Sequence, residues 1–486
     1  MTTRQTKIVA TLGPATDSEE SLAAIVAAGV DVVRLNLSHG DHDEHRARAE
    51  RLRRVAARAN RVVGVLCDLQ GPKIRVQKFR DGAVHLKPGA PFFLDPALAE
   101  DAGTVDGVGV AYRDLPQDVS ADDLLLLADG LIQLRVDRVE GSRIHTVVEV
   151  GGRLSDRKGI NRLGGGLSVR ALTDKDRRDI RLAAELGCDY LAVSFPKAAD
   201  DINEARQLLR EAGGHGGVVA KIERQEAVRN LPEIMEATDA VMIARGDLAV
   251  EIGDAELPGV QKRIMRLARE RDCVVITATQ MMQSMVDNPM PTRAEVLDVA
   301  NAVLDGTDAV MLSEETAVGR YPGETVAAMA RVCIGAETYA DESRPAELNE
   351  PRYGRIDETI AKTAITAANR LGVRAIAAMT ESGSTVMWMS RIGTDIPIYA
   401  MSEQASTRTK VTLYRGVHPV NFDPTGQRDV EAVNRAAVDV LRGCGAVDDG
   451  DLVLITKGDL AGVRGGTNAM KIVRVGGLAD DPPPAG

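Results

Sequence analysis

Lys221 and Glu223 close the apolar run Gly217-Val-Val-Ala-Lys-Ile-Glu, two residues apart. Side chains alternate along a strand, so the two charges share a face. Val218, Val219, Ala220 and Ile222 leave no face for solvent, the pattern of a strand buried on both sides of a parallel sheet. Such a pair is either a structural salt bridge or part of a site, and the pair alone leaves both open. Similar groups stand at other apolar runs: Arg34, Asn36 and Ser38; Asp68, with Lys73 and Arg75 just beyond; Arg245 and Asp247; Thr277 and Thr279; Ser313 and Glu315. Stability alone does not ask for so many charges at one end of a set of strands. Glu223 and Asp247 offer hard oxygen ligands suited to Mg2+ or Mn2+, an ion that keeps waters and binds substrate phosphate. Without a His or Cys cluster zinc is not expected. Gly246, opening a helix, offers backbone N–H groups to an anion, and Arg34, Lys73, Arg75 and Lys221 supply local cations. The chemistry indicated is that of a phosphorylated carboxylic acid with a divalent metal.

The elements that must position these groups alternate strand and helix. Strands are expected at 8–12, 32–37, 62–69, 190–195, 217–223, 240–245, 274–279 and 309–315, each followed by a helical pattern, and eight such units close a (β/α)8 barrel. The rhythm breaks over residues 71–169, where short apolar strands are divided by Asp81-Gly82, Pro88-Gly89, Asp129-Gly130 and Glu140-Gly141, a hairpin vocabulary. This segment reads as an all-β domain inserted into the barrel (1–70 and 170–342), ending in Gly164-Gly-Gly, either a plain linker or a hinge. After a polar linker at 343–353, a separate α/β unit occupies 353–476, and the tail 477–486, with Pro482-Pro-Pro, is expected to be disordered. In the last unit a strand at 375–380 runs into Thr380-Glu-Ser-Gly-Ser-Thr and a helix, which is either ordinary Ser/Thr capping or a phosphate site.

Composition narrows the class. A formal charge of −11 argues against nucleic acid, which needs a basic footprint. No stretch approaches a membrane span or a secretory leader, and the five scattered cysteines read as buried free thiols, so a soluble cytoplasmic protein is expected.

Longer strings carry a resemblance. Arg34-Leu-Asn-Leu-Ser-His-Gly, Asp68-Leu-Gln-Gly-Pro-Lys-Ile-Arg, Val219-Ala-Lys-Ile-Glu, Ala244-Arg-Gly-Asp-Leu-Ala-Val-Glu, Ala278-Thr-Gln-Met, Pro291-Thr-Arg-Ala-Glu and Ser313-Glu-Glu-Thr-Ala occur in the order and context of pyruvate kinases, which the chain resembles along nearly its whole length. The resemblance implies transfer of the phosphoryl group of phosphoenolpyruvate to ADP, giving pyruvate and ATP. It implies that Glu223 and Asp247 hold the divalent ion, that Lys221 and Arg34 neutralise the moving phosphoryl, and that Ala244, Arg245 and Gly246 line the carboxylate pocket. Thr279 is placed by the enolate's methylene carbon, with Thr279, Ser313, Glu315 and water all open as proton donor. His39, and Asp129 and Lys158 on the inserted lid, match nucleotide-side positions.

Many members of the family bind potassium at residues matching Asn36, Ser38 and Asp68 and carry a glutamate where this chain has Lys73. With Leu69, Gln70 and Val76 beside it, Lys73 matches members that do not need K+, and potassium-independent activity is expected. The loop holding Thr380, Ser382, Gly383, Ser384 and Thr385 matches the family's effector site, so a phosphorylated sugar or nucleotide is expected there, with Arg464 to Asn468 closing over it. Glu381 stands where relatives often have a basic residue. The resemblance also implies a homotetramer. The competing readings are a metal-dependent lyase handling a pyruvate enolate and a non-catalytic metabolite sensor.

Overall fold

The structure, a computed structural model, describes residues 4–339, 355–425, 429–458 and 465–476. The expected linker at 343–353, the tail 477–486 and Arg464 lie outside the described residues. Eight parallel strands close a barrel: β1 (Lys7–Leu12), β2 (Val32–Asn36), β3 (Gly64–Asp68), β4 (Tyr190–Val193), β5 (Gly217–Ile222), β6 (Ala240–Ala244), β7 (Val274–Ala278) and β8 (Ala309–Leu312), with β1 between β2 and β8. Alternation sets the two faces of each strand. Val9, Val32, Val219, Met242 and Ile276 fill the interior, while Ile8, Ala10, Val218, Ala220 and Val241 pack outward against the helices. Helix ends are fixed by local sequence: Asp41 caps the helix His42–Arg58 and accepts from the Glu44 N–H at 2.9 Å, and Thr173 with Asp176 forms a capping box on Asp174–Glu185.

Seven of the eight strands, all but β1, end one to three residues earlier than the apolar pattern suggested. β8 stops at Leu312, because Glu314–Ala317 turns into a short helix, and β6 stops at Ala244, because Arg245–Ile252 is already helical. Glu223 likewise lies one residue beyond β5, and Thr279 one residue beyond β7 with φ +70°, outside strand geometry altogether. Alternation therefore stops being a guide at the mouth of the barrel, where the polar groups sit.

Between β3 and β4 the chain forms a β insert with a six-stranded sheet and a two-stranded one, over a core that includes Phe92, Leu94, Leu125, Leu134 and Ile144. The C-terminal unit is a five-stranded sheet made of β9 (Ala375–Met379), β10 (Ile398–Ser402), β11 (Val417–Asn421), β12 (Leu452–Gly458) and β13 (Thr467–Arg474), with only the last antiparallel. Its helix Val430–Gly443, absent from the sequence reading, buries Ala437 and Leu441. This unit packs on the N-terminal end of the barrel: Lys7 Nζ donates to the Val417 carbonyl at 2.6 Å, the Tyr190 hydroxyl to the Lys410 carbonyl at 2.7 Å, and Arg391 pairs with the buried Asp308 just before β8. The opposite, C-terminal end of the barrel faces the insert.

Candidate active site

At that end, four charged groups from three strands make a continuous chain. Arg34 Nε donates to Asp68 Oδ2 at 2.7 Å, Asp68 Oδ1 lies 3.4 Å from Lys221 Nζ, and Lys221 Nζ pairs with Glu223 Oε1 at 2.9 Å. All four are buried, Asp68 completely. Burial works against the Lys221 ammonium, but Asp68 and then Glu223 outweigh it and hold the amine above its ordinary value, so the group is charged throughout the physiological range. Burial pushes the Glu223 carboxyl up, and the charge of Asp247 adds to this against the pull of Lys221. A carboxylate whose ionisation is made costlier by burial and by a second carboxylate is relieved by a cation beside it. With no His or Cys near, the pair fits a hard divalent ion that takes its remaining ligands from water and substrate. Among the described residues no group of three or more His, Cys, Asp or Glu side chains forms a metal cage, so a divalent ion here draws only part of its shell from the protein.

Asp247 faces the same mouth, and its Oδ1 accepts from Lys73 Nζ at 2.9 Å. Lys73 also lies 3.9 Å from Asp129, on the insert, so one ammonium spans barrel and insert. Gly246 stands in the first turn of Arg245–Ile252, and its N–H donates to Thr279 Oγ1 at 2.9 Å; that hydroxyl in turn donates to the Ala278 carbonyl at 2.6 Å. The Arg245 guanidinium is fully engaged, bidentate to Asp298 at 2.7 Å on both arms and bonded to the Ala278 and Thr279 carbonyls. It braces the turn at Ala244 to Gly246.

Other sequence candidates fall into three groups. Thr277 is buried and bonded to Thr307 at 2.9 Å, inside the wall and away from the mouth. Glu315 is completely buried; its oxygens accept from the Ser313 N–H at 2.6 Å and the Met282 N–H at 3.2 Å, so it fixes two loops and does not itself face the mouth. Ser313 is half-buried. Asn36 accepts from the Ser38 N–H at 3.2 Å, shaping the turn that leaves His39 exposed. On the insert, Arg75 Nη1 donates to the Arg157 carbonyl at 2.9 Å, and Lys158 is exposed.

Sequence reasoning missed Ser194 and Asp298. Ser194 Oγ accepts from Lys221 Nζ at 2.7 Å and donates to the Leu69 carbonyl at 2.7 Å, fixing the ammonium between two strands. The signal was present, a lone hydroxyl just after the apolar run of β4. Asp298 had none, since nothing links it to Arg245 except the fold.

In the C-terminal unit, Thr380, Ser382, Ser384 and Thr385 line a cavity of about 300 Å³ closed by Phe422, Lys457 and the stretch Gly465, Gly466, Thr467. Gly383, with φ +80°, precedes the helix Ser384–Ile392; its N–H donates to Thr380 Oγ1 at 3.0 Å, and a Cβ there would meet Val411 at 2.9 Å.

A closed parallel barrel with charged groups gathered at its C-terminal end beneath a β insert has the architecture of a barrel enzyme. Comparison with known proteins makes the class specific. Residues 3–326 match the family model "Pyruvate kinase, barrel domain" and residues 358–473 match "Pyruvate kinase, alpha/beta domain". The chain is 53% identical over 476 residues to pyruvate kinase II of Salmonella typhimurium, covering 97% of this chain and 99% of that one. It is 51% identical over 459 residues to pyruvate kinase of Haemophilus influenzae, covering 94% and 96% respectively. A crystal structure of a pyruvate kinase from Cryptosporidium parvum superposes with a TM-score of 0.88 at 32% identity, over 97% of this chain and 96% of that one. The chain belongs to the pyruvate kinase family. It is a phosphotransferase whose reaction passes the phosphoryl group of phosphoenolpyruvate to ADP, giving pyruvate and ATP. Neither the lyase nor the sensor reading is favoured. Among the described residues no helix is long and apolar enough to cross a membrane.

Proposed function

We propose that the reaction runs at the mouth formed by Arg34, Asp68, Lys221, Glu223 and Asp247, with Mg2+ or Mn2+ held by Glu223 and Asp247. The observation that carries this reading is the unbroken chain of buried charges from Arg34 to Glu223. The ion, when bound, neutralises charge shared by the substrate's carboxylate, enolate oxygen and phosphoryl group. Lys221 and Arg34 then meet the phosphoryl in flight, where catalysis is mostly positioning and electrostatics. The turn at Ala244, Arg245 and Gly246 receives the carboxylate, which takes the Gly246 N–H over from Thr279 Oγ1, and Arg75 stands on the insert side of the substrate. Thr279, tied to Gly246 by its hydroxyl, stands by the methylene carbon that takes the proton; Ser313 or a water reached through it is the other source, and Glu315 holds that loop. His39, Asp129 and Lys158 serve the nucleotide, and the insert, residues 71–169, acts as a lid excluding water.

Lys73 takes the place of a monovalent ion. Its ammonium is 2.9 Å from Asp247 and 3.9 Å from Asp129, a cation already built into the site. Pyruvate formation from phosphoenolpyruvate and ADP is expected to keep most of its rate in potassium-free buffer at matched ionic strength. A large loss there, restored by K+, rules the substitution out.

The cavity at Thr380 to Thr385 is proposed to hold a phosphorylated sugar or nucleotide, with hydroxyls and the N–H groups opening Ser384–Ile392 facing its phosphate. A panel of such compounds is expected to lower the concentration of phosphoenolpyruvate needed for half-maximal rate; if every compound leaves it unchanged, the cavity is not an activating site. Leu297 and Leu304, exposed along the helix Arg293–Leu304, and the exposed Met290 support self-association; the homotetramer and the cytoplasmic location rest on the family resemblance.

A further inference from the structure

The chain leaves the insert through Gly164, Gly165 and Gly166, with φ of +88°, +75° and +93°. A run of left-handed residues is strained for any side chain, which is why the sequence places glycine at all three. The run is nevertheless no slack linker, because the barrel grips it residue by residue. The Gly164 N–H donates to the Glu251 carbonyl at 2.9 Å, the Gly166 N–H to Glu226 Oε1 at 2.6 Å, and Arg224 Nη1 reaches the Leu167 carbonyl at 3.3 Å. Below the run, the Gln225 N–H donates to Glu251 Oε2 at 3.1 Å and ties the two gripping elements to each other. Glu226 Oε2 is buried without a hydrogen-bond partner, and a Cβ at Gly165 would stand 2.7 Å from it.

The gripping groups stand within a few residues of the acidic pair of the active site along the chain. Glu226 lies on Gln225–Arg229, immediately after Glu223; Glu251 lies one helical turn beyond Asp247 in Arg245–Ile252. Arg224 is held over the Phe195 ring at 5.5 Å, and the Phe195 N–H donates to Glu223 Oε2 at 2.8 Å. The exit from the insert is thus bonded into the framework that holds Glu223 and Asp247.

We propose that Glu226, with Glu251 and Arg224, is a clasp on the lid's exit hinge, and that Glu226 is a positioning residue for phosphoryl transfer: it sets the docked posture of the lid through the Gly166 amide. This rests on the reading of the insert as a lid. Its consequence is for partition of the phosphoryl group. A loosened clasp admits water to a site where ADP should be the acceptor, so pyruvate release without ADP should rise while binding of phosphoenolpyruvate is little affected.

The test is hydrogen exchange over residues 160–170 of the full-length enzyme, with and without phosphoenolpyruvate, Mg2+ and ADP, beside the ratio of ADP-independent to ADP-dependent pyruvate formation. In the unaltered enzyme the ligands should slow exchange across the insert and its exit. Glu226→Ala should speed exchange at the hinge about tenfold, as expected for loss of a charged acceptor, and raise the ADP-independent share severalfold. Glu226→Gln, whose amide oxygen can still accept from Gly166, should restore both. Gly165→Ala, with Glu226 intact, should reproduce the Glu226→Ala behaviour through the Cβ collision and the strain of a left-handed alanine together. If the ligands leave exchange in the unaltered enzyme unchanged, the lid reading fails and the clasp with it. If they protect the insert but Glu226→Ala matches the unaltered enzyme in exchange and partition, the clasp alone is overturned. It is equally overturned if Glu226→Ala raises exchange throughout the chain, or if the glutamine variant does not recover.

Discussion

Replacing Lys221 with methionine is expected to lower turnover by about 10²- to 10³-fold, the range for removing one preorganised charge stabiliser, while leaving divalent-ion binding undiminished. Methionine fills nearly the same length without charge or donors. In the native site the ammonium has three oxygen neighbours, Ser194 Oγ at 2.7 Å, Glu223 Oε1 at 2.9 Å and Asp68 Oδ1 at 3.4 Å, so its position is fixed before substrate arrives. A charge held in place in a buried site needs no reorganisation as negative charge builds on the moving phosphoryl group. Lys221 also competes with a metal for Glu223, so its loss removes a competitor from the metal's ligand. The metal-free variant should pay in stability, by about 3–5 kcal/mol, because Glu223 keeps its buried charge without its partner while Asp68 keeps Arg34. Manganese titration and thermal melting with and without metal separate these effects. Turnover within tenfold of the unaltered enzyme, or metal affinity falling in step with turnover, sinks the assignment of Lys221 to the phosphoryl.

The contrast between what could be read from the chain and what could not follows from how each group works. Lys221, Glu223, Arg34 and Asp68 were legible because each is a charge at the end of an apolar run, where period-two alternation and burial leave no bland position for it. The eight-unit barrel was legible for the same reason, since its strands are buried on both faces. What sequence could not show is how charge is spent after the strand ends. Arg245 reads as a charge at the mouth that lines a carboxylate pocket, yet its guanidinium is committed to Asp298, a partner set by tertiary packing. Glu315 reads as an acid at the mouth, yet both oxygens satisfy backbone amides of loops that meet only in the fold. The glycine run 164–166 read as either linker or hinge, and only the amide contacts to Glu226 and Glu251 distinguish a gripped turn from a free one.

Glu223→Gln should fail in a different way from Lys221→Met, by losing the metal first. The native carboxylate accepts at both oxygens, from the Phe195 N–H at 2.8 Å through Oε2 and from Lys221 at 2.9 Å through Oε1. A glutamine has one acceptor oxygen. If it serves Phe195, the NH2 group faces the Lys221 ammonium; if it serves Lys221, the NH2 faces the Phe195 N–H. Either way a donor meets a donor in a site that is 1% exposed, and the neutral amide is a poorer ligand for a hard divalent ion. Divalent-ion affinity is expected to fall about 10- to 100-fold, on the order seen when the groups around a metal are altered. The kinetic signature follows from which step is damaged. Raising Mg2+ should recover a substantial part of the rate of Glu223→Gln, because Lys221, Arg34 and the Gly246 turn remain in place to act once the ion is bound. The same addition should recover almost none of the rate of Lys221→Met, whose ion site is intact and whose phosphoryl contact is gone. A magnesium series on the two variants therefore tests the division of labour between two side chains paired at the end of β5, and equal rescue of both would show that they act as one unit.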